Sequence, residues 1–308
     1  MQTHQSLIAS LDPVLRRDLL ERSDRAGLIH LAGHGGAVAA VAALILMEAP
    51  LWPAYLVVQG VLVIFLFTAL HESIHRTAFE SGWLNRCVAA VCALLVFLPP
   101  TWFRYFHFAH HRFTNDPKND PELATAKPET TAQYWLYLSG LAVWRFQLRA
   151  LVVNAAGRNA DGFVPAKGKH QVATEARLYL AAYGALAAGS LVLASDALIW
   201  VWLIPVLLGQ PFLRAYLLAE HAGCPKVENM LENSRTTLTN GLVRFITWNM
   251  PYHAEHHVMP SVPFHKLAEL HRHTAPHLTV IEQGFVEFHR KMAVSLWNDR
   301  RRPTGSRR

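Results

Sequence analysis

Two stretches of this chain, Leu51–Leu70 and Ala197–Leu213, contain no Asp, Glu, Lys or Arg. No other feature narrows the fold as much. A helix crossing a bilayer core of about 30 Å needs roughly 20 apolar residues, and a spanning segment must satisfy its own backbone polar groups. Leu28–Met47 has the same character, interrupted only by His30 and His34. Leu178–Ala194 adds another run, rich in Ala and Gly, a composition suited to close helix packing. The last apolar run extends to Ala219 and carries Pro205, Pro211 and, near its end, Arg214. Only 17% of the 308 residues are charged, against about 25% in soluble domains. The pattern excludes a disordered chain or a coiled coil and argues against an ordinary soluble enzyme. Cys87, Cys92 and Cys224 form no CxxC pair, which argues against a disulfide framework or a structural zinc site.

The runs predict four transmembrane helices. The short turns at Glu48–Pro53 and Ser195–Asp196 hold no Lys or Arg, while the other ends carry nearly all of them. The positive-inside rule then places both turns outside and both termini in the cytoplasm, giving two helical hairpins. Cys87–Pro100 is short and ends in two prolines, as a re-entrant or interfacial segment would. Tyr134–Val153 mixes aromatics with Arg145 and Arg149 and reads as an amphipathic helix in the interface. Residues 1–27, with four arginines among spaced leucines and no cleavable signal, read as a cytoplasmic amphipathic segment. The expected fold is an all-α integral membrane protein of a single unit over 1–308. The spans and first cytoplasmic part occupy 28–219, a histidine-rich cytoplasmic cap 220–290, and a basic tail 291–308. The net charge of +7 sits beside apolar segments, so anionic lipid headgroups rather than nucleic acid are the expected partner.

Histidine is the anomaly. Of eighteen, nine fall in tight groups: His71 and His75 in HESIH; His107, His110 and His111 in HFAHH; His253, His256 and His257 in HAEHH; and His221 past the fourth span. An i, i+3, i+4 set lies on one helix face, so each triplet is expected to send its imidazoles toward one point. The topology places all nine on the cytoplasmic side. A lone histidine there is ordinarily satisfied by water or lipid phosphate, but nine on one side point to metal. They are too many for one ion of four to six ligands, and two metals fit the count. HESIH also matches H-E-x-x-H, in which the Glu serves a zinc protease as general base. That reading leaves seven clustered histidines unused. With two metals, Glu72 is expected instead to orient an imidazole through its free N–H.

These residues resemble the membrane fatty-acid desaturase and hydroxylase superfamily. Its three histidine boxes stand here as His71–His75, His107–His111 and His253–His257, and the flanking HHRFTNDPKNDPEL and NMPYHAEHHVMPSVPFHKL look like its bacterial members. The resemblance covers roughly residues 65–275. It implies a cytoplasm-facing non-haem di-iron centre, O2 as co-substrate, and oxidation of an unactivated C–H bond in a lipid or acyl chain. Eight ligands carry over from the boxes, and His221 matches the isolated ninth ligand. Some acyl-CoA desaturases have an Asn four residues before that histidine, where this chain has Leu217. Eight box histidines would serve two irons four apiece, and His221 would make one of them five-coordinate. No CxxCH haem site or rubredoxin-like CxxC pair occurs. The two electrons needed per turnover are therefore expected from a separate ferredoxin or cytochrome b5-like carrier with its reductase.

Asp116, Asp120, Glu122 and Asn249 are candidates for hydrogen bonds to the ligands, with turn chemistry as the alternative for the loop carboxylates. Trp102, Phe103, Tyr105 and Phe106 read first as an interfacial belt and second as a substrate tunnel. Desaturation is the expected reaction in a bacterial inner membrane. A hydroxylase or ketolase acting on an alkane, acyl chain or carotenoid is the alternative on the same scaffold. A metal transporter would need ionisable groups inside the spans, where only His30, His34 and Arg214 occur.

Overall fold

A computed structural model describes residues 2–125 and 127–300. The N-terminal segment is two short helices rather than one: α1 (His4–Ser10), opened by a capping box at Thr3, and α2 (Pro13–Leu19). Asp12 ends the first and starts the second, because its carboxylate accepts the Val14 and Leu15 N–H groups ahead of Pro13. Ser23 then caps α3 (Asp24–Leu46). After a turn through Leu51, whose φ is 67°, α4 (Trp52–Ile64) and α5 (Leu66–His75) run on as one span.

Next come α6 (Gly82–Val96) and α7 (Pro100–Phe113), bent by 95° where Pro99 and Pro100 prevent continuation. This bend fits the re-entrant or interfacial segment expected at Cys87–Pro100. The expected interfacial helix is likewise a bent pair, α8 (Thr131–Leu138) and α9 (Leu141–Ala155), turned by 51° at Gly140 with φ 72°. The long α10 (Ala166–Val192) leads through a turn into a π-helical segment, Ile199–Leu203, and α11 (Ile204–His221). The cap holds the short helices α12 (Met230–Asn233), α13 (Gly241–Ile246), α14 (His253–Val258) and α15 (Leu267–Thr274), two 3-10 turns at Phe264–Lys266 and Ala275–His277, a two-residue parallel ladder of β1 (Thr236–Thr237) with β2 (Ile281–Glu282), and the longer α16 (Phe285–Arg300). The expected basic tail thus begins inside α16, and residues 301–308 lie outside the described residues.

The helices bracket the expected four spans without fixing that number. Three stretches are long and apolar enough to cross a membrane, Pro13–Leu46, Trp52–His75 and Ile199–His221, or up to five if each bent pair is one span. Leu178–Ala194 is not among the three: its helix ends at Val192, so the charge-free helical stretch after Glu175 and Arg177 is short. Its small residues do not make the expected close packing either. A Cβ at Gly184 or Gly189 would meet nothing within 4 Å.

Close packing is instead the work of Gly60 and Gly209, where α4 and α11 cross in the most extensive helix contact of the fold. A Cβ on Gly60 would strike the Pro205 carbonyl oxygen and lie 2.9 Å from the Gly209 nitrogen; one on Gly209 would strike the Gly60 carbonyl. Several polar groups inside this apolar layer find backbone partners, as a lipid environment favours. Pro205 has no N–H to give the Val201 carbonyl four residues earlier, and Gln59 Nε2 supplies that bond at 3.1 Å. His34, fully buried, reaches the Leu62 carbonyl at 2.9 Å through Nε2 and takes the Trp248 indole N–H at 3.2 Å on Nδ1. His30 similarly reaches the Phe245 carbonyl at 2.8 Å. Both span histidines therefore fasten α3 to its neighbours and are not part of the nine.

Candidate metal centre

The nine clustered histidines come together in two groups. His71, His75, His107, His111 and His256 form one; His110, His221, His253 and His257 form the other. Within each group the ligand-capable atoms all lie within 4.8 Å of one another. All nine are buried except His75 and His111, which are partly so. The elements that deliver them are helical: α5 for the first box, α7 for the second, the last residue of α11 for His221, and α14 for the third box.

The geometry fits metal better than hydrogen bonding. His107 Nε2 is 2.7 Å from His71 Nε2 and 2.9 Å from His111 Nε2, and His111 Nε2 is 3.0 Å from His256 Nε2. A neutral imidazole nitrogen offers one proton or one lone pair, never both, so a chain of Nε2 atoms facing one another cannot satisfy every member. The second group repeats the conflict, with His221 Nε2 3.2 Å from His110 Nε2 and 2.9 Å from His253 Nε2. Metal–nitrogen bonds of about 2.0–2.1 Å, the value for zinc, hold neighbouring ligand nitrogens roughly 3–4 Å apart. Burial and the neighbouring imidazoles hold His253, His256 and His257 well below the ordinary histidine range, so these rings are neutral and ready to ligate at pH 7.

The outer nitrogens differ between the groups. In the second, His110 Nδ1 lies 3.0 Å from Asp120 Oδ1 and 3.2 Å from Glu122 Oε2. His221 Nδ1 is 3.1 Å from the Asn233 carbonyl, and His253 Nδ1 is 3.3 Å from Glu220 Oε1. His257 Nδ1 is 3.1 Å from the Thr114 hydroxyl, which spends its own proton on the His110 carbonyl. Such contacts fix tautomer and ring orientation. In the first group the outer nitrogens of His71, His111 and His256 have no hydrogen-bond partner among the described residues, and in the second His253 Nδ1 also lacks one, lying near Glu220 without a hydrogen bond. Burial alone would raise the Glu122 carboxyl, but the Lys127 ammonium 3.3 Å away and the histidines outweigh it and hold it below the usual carboxylate range.

Several expectations need correction. Glu72 does not orient an imidazole. Its carboxylate accepts the Thr77 hydroxyl at 2.8 Å and the Phe264 N–H at 3.2 Å, because the turn after α5 and the loop after α14 close over it. Both bonds fall on Oε2, and Oε1 is buried without a partner; five histidines surround the site where a zinc protease needs three ligands. The triplets do not each converge on one point, and the box histidines divide five and three, not four and four. Asn249 turns to the Phe264 carbonyl. Asp116 caps its own turn through Lys118 and Asn119, whereas Asp120 both reaches His110 and accepts the Asn115 and Glu122 N–H groups. Glu220, Asn233 and Thr114 escaped the sequence reading. Glu220 was adjacent to a candidate ligand; Asn233 and Thr114 carried no spacing signal. Glu255, between two ligands, is fully buried and anchors α14 through Thr236 and His271, each at 2.5 Å, and Thr274.

A cavity opens beside the two groups. His71, His107, His110 and His253 reach its wall, with Phe67, Trp102, Phe103 and Phe106 completing an apolar stretch. Trp102 and Phe103 are thus buried cavity residues, not an interfacial belt. Tyr105 instead packs on Gly168 of α10. Leu217 also lines the cavity.

A family model described as "Fatty acid desaturase" matches residues 50–288. The chain is 23% identical over 255 residues to an acyl-lipid omega-3 desaturase (cytochrome b5) of the endoplasmic reticulum from Arabidopsis thaliana, covering 76% of this chain and 66% of the relative. It is 30% identical over 205 residues to a sphingolipid delta(4)-desaturase/C4-monooxygenase from Bos taurus, covering 64% and 58%. With a bifunctional fatty acid conjugase/Delta(12)-oleate desaturase from Punica granatum it shares 27% over 121 residues, or 36% and 31%. These matches span about one third to two thirds of the relatives' lengths.

Proposed function

Because the chain belongs to the fatty acid desaturase family, we propose that it is a membrane di-iron desaturase that inserts a C=C bond into an aliphatic lipid chain. The observation that carries this reading is the pair of convergent histidine groups, five and four, opening on an aromatic-walled cavity. We propose iron as the metal, one ion per group. Imidazole suits iron among other metals, and when bound the two irons would supply O2 activation and the oxidising power for an unactivated C–H bond. The chain's own residues do the rest. Asp120, Asn233 and Thr114 orient ligands, and Glu220 places a carboxylate beside His253. Phe67, Trp102 and Phe103 exclude water and hold an alkyl chain against the ligand wall.

A desaturase and a hydroxylase both begin by removing one hydrogen and differ in the second event. The cow relative named as both a desaturase and a C4-monooxygenase favours keeping hydroxylation as the second reading. Each turnover needs two external electrons, for which we propose a separate cytochrome b5-like or ferredoxin carrier, in keeping with the name of the Arabidopsis relative. The charge bias of the loops supports an active site facing the cytoplasm, in the inner membrane if the host is bacterial. Expression in a host with a compatible carrier, followed by mass spectrometry of total lipids, tests the reading. An added double bond is expected; an added oxygen transfers the assignment to the hydroxylase, and unchanged lipids with a competent carrier count against both.

A further inference from the structure

The cavity is not apolar throughout. Lys127, Arg214, Glu122 and Glu220 line it, together with Tyr137 and Gln147. Formally two cations stand beside two carboxylates, yet they do not pair off one to one among the described residues. Lys127 is paired with Glu122 at 3.3 Å. Glu220 Oε1 lies 3.3 Å from His253 Nδ1. Arg214 has no carboxylate within 4 Å among the described residues; it lies over the Tyr137 ring, 5.7 Å from its centroid, and its Nε is buried without a hydrogen-bond partner. Gln147 Oε1 on α9 is buried and unpartnered in the same way. A Gln amide carries donors and an acceptor on one end and can present either. An arginine inside a membrane span is costly unless a partner or a functional load explains it. This one has the Tyr137 ring beside it but no carboxylate within 4 Å among the described residues, and it faces the cavity that the metal ligands share.

We propose that Arg214, assisted by Gln147, is a subsite for an oxyanion carried by the substrate, so that the chain selects aliphatic molecules bearing a carboxylate or phosphate over neutral ones. This rests on reading the cavity as the aliphatic substrate's site. Arg214 stands two helical turns, about 10 Å, before His221 along α11. The anion is therefore held at a fixed distance from the ligand wall, and the alkyl chain runs between them past Phe67 and Phe103. The guanidinium supplies the charge-assisted, two-pronged donor set that matches a carboxylate or phosphate.

Native mass spectrometry of the detergent-solubilised full chain tests this without turnover. Octadecanoic acid and its methyl ester are offered together, and in a second arm a phosphatidic acid and the diacylglycerol of the same chains. Retention of the anionic member of one pair by about tenfold or more is expected, and which pair shows it separates a free carboxylate from a lipid phosphate. Arg214→Gln should bring that preference close to parity while leaving the neutral ligand bound, and Arg214→Lys should keep part of it. Equal retention of anionic and neutral members by the wild-type chain in both arms, or a preference unchanged in Arg214→Gln, would overturn the proposal. Lipid profiling is scored separately. Anion selectivity without any oxidised product would keep the subsite and remove the desaturase reading, and oxidised product without selectivity would do the reverse.

Discussion

His221 Nε2 lies 2.9 Å from His253 Nε2, although 32 residues separate them. The contact assigns the isolated histidine at the end of α11 to the four-membered group. That group takes three box histidines, His110, His253 and His257, and is incomplete without His221. A simple helical rule underlies the division. Residues i and i+4 differ by about 40° around an α-helix, whereas i+3 falls about 60° to the other side. Each i, i+4 pair stays in one group: His71 with His75, His107 with His111, His253 with His257. Each i+3 member, His110 and His256, crosses to the other. The spacing HxxHH therefore addresses two histidine groups from one turn of helix.

Asp120 ties the second box to its group by accepting from His110 Nδ1. Asp120→Ala should weaken metal retention at the four-membered group by about 10–100-fold. Chelator competition, read as two release phases, checks this: only one phase should accelerate.

Glu72 closes a turn and a loop, and does no chemistry on a peptide. Glu72→Gln keeps an acceptor oxygen for Thr77 and Phe264 and should retain full metal, at a stability cost of about 1–3 kcal/mol. Thermal unfolding and metal analysis on the same preparation measure both. Peptide hydrolysis that depends on Glu72 and accompanies stoichiometric zinc would restore the protease reading.

Acid should release the metal and destabilise the metal-free fold in the same window. His253, His256 and His257 are held below the ordinary value, near 6.5, that they regain on unfolding. Below about pH 6.5 the unfolded chain takes up protons that the buried rings refuse, so stability falls as the pH drops through that value and rises as it returns. Melting temperature of the chelated protein against pH should show this slope, and His256→Phe should reduce it.

The turns that contain Pro50 and Asp196 lack Lys and Arg and should lie on the side opposite the histidines. Reporter fusions at residue 50 and at residue 308 should give opposite signals; the same signal at both would place the site on the wrong face.

Much of this architecture was legible in the sequence for a physical reason. Apolar runs and box spacings are local patterns, and both survive folding intact. The partition of the nine histidines was also latent in helical periodicity, but it required treating i+3 and i+4 as different directions. What stayed hidden is non-local. Asn233, Thr114 and Glu220 reach the ligands only because α11, α12 and the end of α7 meet in space. Glu72 looked functional from its place in HESIH, and only the approach of the Phe264 backbone shows where its carboxylate is spent. The small residues of α10 carried the composition of a packed interface, yet the close crossing belongs to two isolated glycines, Gly60 and Gly209, set among bulky neighbours.

The most direct test of the central claim is the iron content and Mössbauer spectrum of the purified, iron-loaded chain, beside its His221→Ala variant. Two irons per chain in two unequal environments are predicted, because five histidines surround one position and four the other. The variant should lose about one iron and all oxidation of lipid while keeping the five-histidine signal. A single metal per chain, or a His221→Ala protein with both irons and undiminished product, would contradict the account.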